Sequence, residues 1–324
     1  MRLYKKAAAC LLTAAMAISM LTACGGGGTG GNGGGNTPGT LPKPDQIVLP
    51  DPGEGGEGGG EGGGEGTETK PTKTPIVDVN NSKLAQFNKK YAGATEFYVE
   101  MQMVEYDEDG SAEDSTDGCV AAKGNSVYMK ATLSGKNQKQ QSIEELMLKE
   151  FDYNNSYLLL RGSKVAVRTS SYKSQGNDNF SLGTLITDKL PSQMWSTEVK
   201  VGPTKYYAEV YNAYSSEYTT CFTADGKPVY QFVRELNEKQ LDRATLYKTI
   251  QAGSGTSKGL CALPTGTKTY SFDDNTGSLT DAKGNVFTLK ENGTTGFKVL
   301  DKDGKDVTDD FKWLTDFFKM MSGE

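Results

Sequence analysis

The chain has 324 residues, 35% of them hydrophobic and 23% charged, and its 41 acids against 35 bases give a formal net charge of −6. It contains no histidine, which excludes His-based triads, imidazole general bases and most transition-metal sites. An acidic balance with no long basic patch argues against a nucleic-acid partner.

The chain opens MRLYKKAAACLLTAAMAISMLTAC. Arg2, Lys5 and Lys6 precede an apolar run from Ala7 to Met20 that is short for a membrane-spanning helix, the layout of an export signal over residues 1–23. Leu21-Thr22-Ala23-Cys24 resembles the lipobox of bacterial lipoproteins, which implies cleavage before Cys24 and a diacylglyceryl group on its thiol. Two acyl chains on one cysteine, at about 0.8 kcal/mol per buried methylene, make Cys24 a membrane anchor. The resemblance places the protein on the outer face of the cell membrane. Loss of the three signal cations takes the formal net charge from −6 to −9.

Residues 24–75 read as the lipidated cysteine followed by a disordered tether. Half of the forty glycines lie there, with seven prolines and the acidic repeat PGEGGEGGGEGGGEGTE. Apart from Gln46-Ile47-Val48-Leu49 no apolar run offsets the entropy of ordering such a chain. A Gly-rich segment of about fifty residues spans roughly 40 Å.

A folded region is expected from Ile76 onward. NNSKLAQFNKKYAGA carries Leu84, Phe87 and Tyr91 at helical spacing and stops at Gly93, which predicts one amphipathic helix. EFYVEMQMVEY alternates, with Phe97, Val99, Met101 and Met103 on one face of a strand. GCVAAKGNSVYMKATLSG and SYLLLRGSKVAVRTS predict hairpins turning at Lys123-Gly124-Asn125 and Arg161-Gly162-Ser163. SLGTLITDKLPSQMW is a short helix-like interruption that Pro191 limits. KYYAEVYNAY, EYTTCFTADGKPVYQFVREL and RATLYKTIQAG then resume the strands. In KYYAEVYNAY, Tyr206, Ala208, Val210 and Tyr214 share one face and Tyr207 and Tyr211 the other. A meander this long must curl or close to protect its edges, and a helix or two on one concave face is the economical cover.

The lipobox, the linker, the leading helix and a meander containing YTTCFTADGKPVYQF and then CALPTGTKTYSF together resemble the LolA-type lipoprotein-carrier superfamily, related members of which include surface lipoproteins of Gram-positive bacteria. The resemblance covers residues 80–272. It implies an α+β fold, a curled antiparallel half-barrel with helices on its concave side, and an apolar cavity that in some members binds acyl chains. The expected domain is 76–272. Residues 273–324 add a C-terminal appendage: short strands turning at Lys283-Gly284-Asn285 and Asp303-Gly304, then a terminal helix capped by Thr308, with Phe311, Leu314, Phe317 and Phe318 as its apolar face.

Chemistry-bearing motifs are few. Ser170-Ser171-Tyr172-Lys173 has S-x-x-K spacing without the companion patterns of acyl enzymes. Asp107-Glu108-Asp109-Gly110 and Asp301-Lys302-Asp303-Gly304 match only part of a calcium loop and read as acidic turns. No metal or cofactor is expected. After processing three thiols remain, Cys119, Cys221 and Cys261; a Cys221–Cys261 disulfide suits an exported protein, and three buried free thiols are the alternative. Two functions compete. One is a non-enzymatic surface lipoprotein holding an acyl chain or other lipid ligand, with Phe97, Val99, Met101, Met103 and Val127 lining the site. The other is a structural or interaction protein with a filled core, displayed to a cell-wall component or protein partner.

Overall fold

The computed structural model describes residues 41–52, 71–135, 138–148, 156–169, 181–183, 185–186, 190–273, 275–292 and 296–322. The export signal, Cys24 and the Ser170–Lys173 motif lie outside the described residues.

Alternation of apolar and polar side chains dictates strands through most of the chain. In chain order β1 (Ile47–Val48) and β2 (Thr74–Pro75) precede helix α1 (Lys83–Tyr91). Then come β3 (Glu96–Tyr106), β4 (Ala112–Lys123), β5 (Ser126–Gly135), β6 (Gln138–Met147), β7 (Ser156–Leu160) and β8 (Val165–Thr169). After an irregular stretch follow β9 (Trp195–Val201), β10 (Thr204–Ala213), β11 (Ser216–Phe222), β12 (Pro228–Glu235) and β13 (Arg243–Ala252). β14 (Lys268–Asp273), β15 (Ser278–Asp281), β16 (Val286–Asn292), β17 (Gly296–Leu300) and helix α2 (Trp313–Ser322) end the chain.

All the strands belong to one large curled sheet. β9 to β13 run as a meander, β13 pairs with β3, and β3 to β8 continue it. β14 then pairs in parallel with β8, the one departure from antiparallel pairing among the described residues, and β15 to β17 extend the sheet. Among the described residues no pairing joins β17 back to the β9 edge, so the sheet stays open. The strands expected in a C-terminal appendage are therefore part of the main sheet, docked on it through the β8–β14 ladder.

Each face has its own cover. On the inner face, Leu84 and Phe87 of α1 pack with Phe97, Val99, Met101, Val120 and Val127. Further along the same face Leu314 and Phe317 of α2 pack with Leu158, Val167, Phe272 and Leu279. On the outer face Leu41, Ile47 and Leu49 lie against Val201, Ala208, Cys221 and Phe232. Leu260, Cys261 and Leu263 cover Tyr98, Tyr128 and Leu159 on that face. Alternation along β3 makes this concrete, since Val99 and Met101 point to one cluster and Tyr98 to the other.

Two readings of the N-terminal and C-terminal segments are corrected. Residues 41–52 and 71–75, expected within the disordered tether, dock on the sheet: Ile47 and Val48 pair with Val201 and Lys200, and Thr74 and Pro75 pair with Ser196 and Trp195. The apolar side chains of Leu41, Ile47 and Leu49 gain a buried surface there, which offsets their ordering. Thr308 does not cap α2. It opens a 3-10 turn, Thr308–Phe311, and its Oγ1 accepts from the backbone of Val299 at 3.0 Å.

Candidate functional site

Glu209 explains where α1 sits. Ser82 caps the helix by accepting from Ala85 N at 3.0 Å. The two earlier donors, Lys83 N and Leu84 N, bond to Glu209 Oε1 and Oε2 at 2.6 and 2.9 Å, and Tyr207 Oη donates to Oε1 at 3.0 Å. Glu209 comes from β10 and is fully buried. A carboxylate facing the positive end of a helix supplies orphan amides and complements the dipole in one stroke.

That placement decides the fate of the expected ligand-lining residues. Phe97, Val99, Met101 and Val127 come together in one cluster beneath α1, with Leu182, Leu185 and Ile186 of the irregular stretch alongside. The four expected lining residues are each at most 1% exposed. Met103 shares their strand face and is buried, but it sits between Thr116 and Thr245 and lies outside the cluster. The alternation therefore located the right face of β3, while the face is occupied by the protein's own helix.

All three described thiols are free: of the two readings the sequence left open, the possible Cys221–Cys261 disulfide is not formed in this structure. Cys221 is buried on β11 among Val199, Ala208 and Tyr230, whereas Cys261 lies in the loop covering Tyr98 and Tyr128. The two belong to separate clusters of the outer face. Burial pushes the thiol of Cys221 far up and that of Cys261 up to about 11, so both stay protonated and unreactive at neutral pH. The acidic turns also behave as turns: Ser111 N bonds to Asp109 at 2.8 Å and Lys305 N to Asp301 at 2.9 Å. Among the described residues no cluster of three or more acidic or thiol groups is placed to hold a metal ion, and no helix is long and apolar enough to cross a membrane.

Two features escaped the sequence reading. The first is a buried ion triad on the outer face. Glu217 of β11 and Arg234 of β12 face each other in the ladder, and Arg234 Nε donates to Glu217 Oε1 at 2.9 Å. Lys73 Nζ reaches Glu217 Oε2 at 2.5 Å, and the Arg234 guanidinium also donates to Pro50 O at 2.7 Å. Both ends of the Gly- and Glu-rich stretch are thereby clamped to the sheet.

The second feature is a break in the sheet edge. β1 and β2 lie end to end along the same side of β9, as two pieces of one strand interrupted between Val48 and Thr74. Among the described residues nothing pairs on that side of Thr197, Glu198 and Val199. A cavity of about 800 Å³ opens at the break, lined by Thr72, Thr74, Glu198, Lys200, Lys205 and Tyr207 among others. Glu198 and Lys205 form an ion pair across β9 and β10. Thr197 lines the same cavity, and its Oγ1 is buried with no hydrogen-bond partner.

No protein-family model matches the chain, and no curated protein matches it. Among solved structures it is similar to an uncharacterized conserved protein from Thermus thermophilus, with 11% identity and a TM-score of 0.33, over 60% of this chain and 99% of that one. A likeness at that level carries no argument about function.

Proposed function

We propose that the protein is a non-enzymatic lipoprotein, anchored through Cys24 on the outer face of the cell membrane, whose curled sheet is a filled scaffold displayed to a protein or cell-wall partner. The observation behind this reading is the cover on both sheet faces by the chain's own segments. A kinship with LolA-type carriers is part of the proposal: a curled antiparallel sheet with helices on one face supports it. The covered outer face and the strands beyond β8 depart from a simple carrier. The absence of histidine favours a binding role over catalysis.

One observation favours the ligand-holding alternative. Met101, Met129, Met147 and Met194 all lie in the cluster beneath α1, and flexible thioethers repack easily around irregular chains.

One substitution separates the two. In a filled core Met101→Trp overpacks the interior and is expected to cost about 1–3 kcal/mol by denaturant titration, while the natural 41–324 chain takes up no fluorescent fatty-acid probe. Saturable uptake, weakened by Met101→Trp at unchanged stability, would overturn the filled-scaffold reading in favour of a ligand holder. The anchor is checked separately. Cys24→Ala is expected to abolish the acyl mass increment and release the protein from washed membranes, and a variant that stays membrane-bound would refute lipid anchoring.

A further inference from the structure

The buried triad borders an unsatisfied carboxamide. Strand order here runs β2, β9, β10, β11 and β12. Lys73 directly precedes β2, yet its Nζ reaches Glu217 Oε2 on β11 at 2.5 Å, so it approaches across β9 and β10. Two contacts bracket the crossing. The ammonium lies 6.0 Å from the centre of the Trp195 ring, and Trp195 pairs with Val210 of β10. Glu217 pairs with Asn212, the following residue of β10 on that face, while Tyr211 between them points into the inner cluster.

Asn212 Oδ1 is buried and has no hydrogen-bond partner, an isolation that calls for an explanation. Direct cross-strand neighbours hold their Cβ atoms about 4.5–5.5 Å apart. The Asn212 carboxamide and the Lys73 amine therefore border the same carboxylate, and that carboxylate is shielded from water, with Glu217 0% and Lys73 4% exposed at the side chain. Arg234 holds Glu217 through Oε1, at 2.9 Å from Nε, and leaves Oε2 to Lys73. A nucleophile, a proton acceptor and an acyl group thus converge at one buried point.

We infer that Lys73 and Asn212 join in an intramolecular isopeptide bond, with Glu217 as the proton acceptor. The Lys73 ammonium passes a proton to Glu217 Oε2, and the freed lone pair on Nζ attacks Asn212 Cγ. The Cγ–Nδ2 bond then breaks. Nδ2 takes one proton from Nζ and the one held by Glu217 and leaves as ammonium, so one cation enters the step, one leaves it, and Glu217 is a carboxylate again beside Arg234. Neither oxidant nor cofactor is consumed. Fixed proximity supplies the driving geometry, and exclusion of water suppresses hydrolysis of the carboxamide. The bond would tie the chain returning from the Gly- and Glu-rich stretch covalently to the middle of the sheet, without a thiol. The inference goes beyond the scaffold reading and holds whatever partner the scaffold meets.

The test is peptide mass spectrometry on the full chain purified from membranes and digested with trypsin. The expected product is a branched peptide joining the Lys73 and Asn212 segments, lighter than their sum by one ammonia. On a denaturing gel the closed loop should run ahead of Lys73→Arg, which keeps a cation at Glu217 but has no primary amine to attack. Asn212→Ala should likewise lose the branched peptide, and Glu217→Gln should lower its yield at least about tenfold. Should Glu217→Gln fail to fold, Lys73→Arg and Asn212→Ala, which both leave an ion pair at Glu217, carry the test. Recovery of the natural chain with Lys73 cleaved as an ordinary lysine and Asn212 as an intact asparagine overturns the bond. A branched peptide joining Lys73 to any other residue overturns the assignment of Asn212, and an undiminished yield in folded Glu217→Gln overturns the role of Glu217.

Discussion

At about pH 9 a Glu145→Gln chain is expected to be roughly 4 kcal/mol more stable than the natural chain, and near pH 4 the two are expected to be about equal. Glu145 projects from β6 onto the inner face, where its ladder neighbours are Met129 and Leu158 and its own strand contributes Ile143 and Met147. All four are buried. Among the described residues no cation pairs with it, and burial lifts its carboxyl from 4.5 to about 8. The sign follows from linkage. The folded chain holds this proton when the unfolded chain has already released it, so stability is full below 4.5 and falls as pH rises through 8. Glutamine carries no such proton and removes the slope, which paired denaturant titrations across this range would read. Parallel curves for the two chains would show that Glu145 is ionised in the fold. Its position also matters for architecture, since it lies at the seam between the cluster beneath α1 and the cluster beneath α2.

A second large effect is expected at the outer-face triad. Removing one partner from a buried ion cluster leaves uncompensated charge, so Glu217→Ala should cost about 3–5 kcal/mol. Arg234 and Lys73 are each 4% exposed at the side chain and Glu217 is 0% exposed, so water cannot easily replace the lost carboxylate. The loss should also free the N-terminal arm, because Arg234 holds Pro50 and Lys73 holds the returning chain. Limited proteolysis should then cut between Leu41 and Leu49, a stretch expected to resist cleavage in the natural protein. Replacing Glu217, Arg234 and Lys73 together by apolar residues of similar volume should restore most of the stability. A cost under about 1 kcal/mol for Glu217→Ala, typical of an exposed pair, would refute the clamp.

Where local chemistry and tertiary structure agree, the fold was readable. β3 alternates cleanly, and Leu84 and Phe87 fall at helical spacing in a helix that spans Lys83–Tyr91 behind a serine cap. β6 was not readable. Its sequence QKQQSIEELM is polar and rich in residues that favour helices, and only the pairing with β5 and β7 makes it a strand. The parallel β8–β14 ladder, which merges the expected appendage into the sheet, depends on contacts between distant parts of the chain and leaves no local signal. The docked arm had a faint one in Ile47-Val48-Leu49, outweighed by the glycine around it. Glu145, Glu209 and Glu217 looked like ordinary surface acids, since burial of a carboxylate is set by what packs over it.

The interrupted edge strand changes the arithmetic of distance from the bilayer. If Cys24 carries the lipid, the leash between anchor and fold is no longer than the stretch from Cys24 to Leu41, since Leu41 packs on the sheet. The glycine- and glutamate-rich stretch leaves the β9 edge and returns to it, so it contributes nothing to that leash. A glycine-rich chain of about seventeen residues has an r.m.s. span of roughly 20–25 Å, against about 40 Å for the whole stretch to Pro75. The folded body then hovers within about its own width of the lipid headgroups. A partner would have to reach it close to the membrane surface.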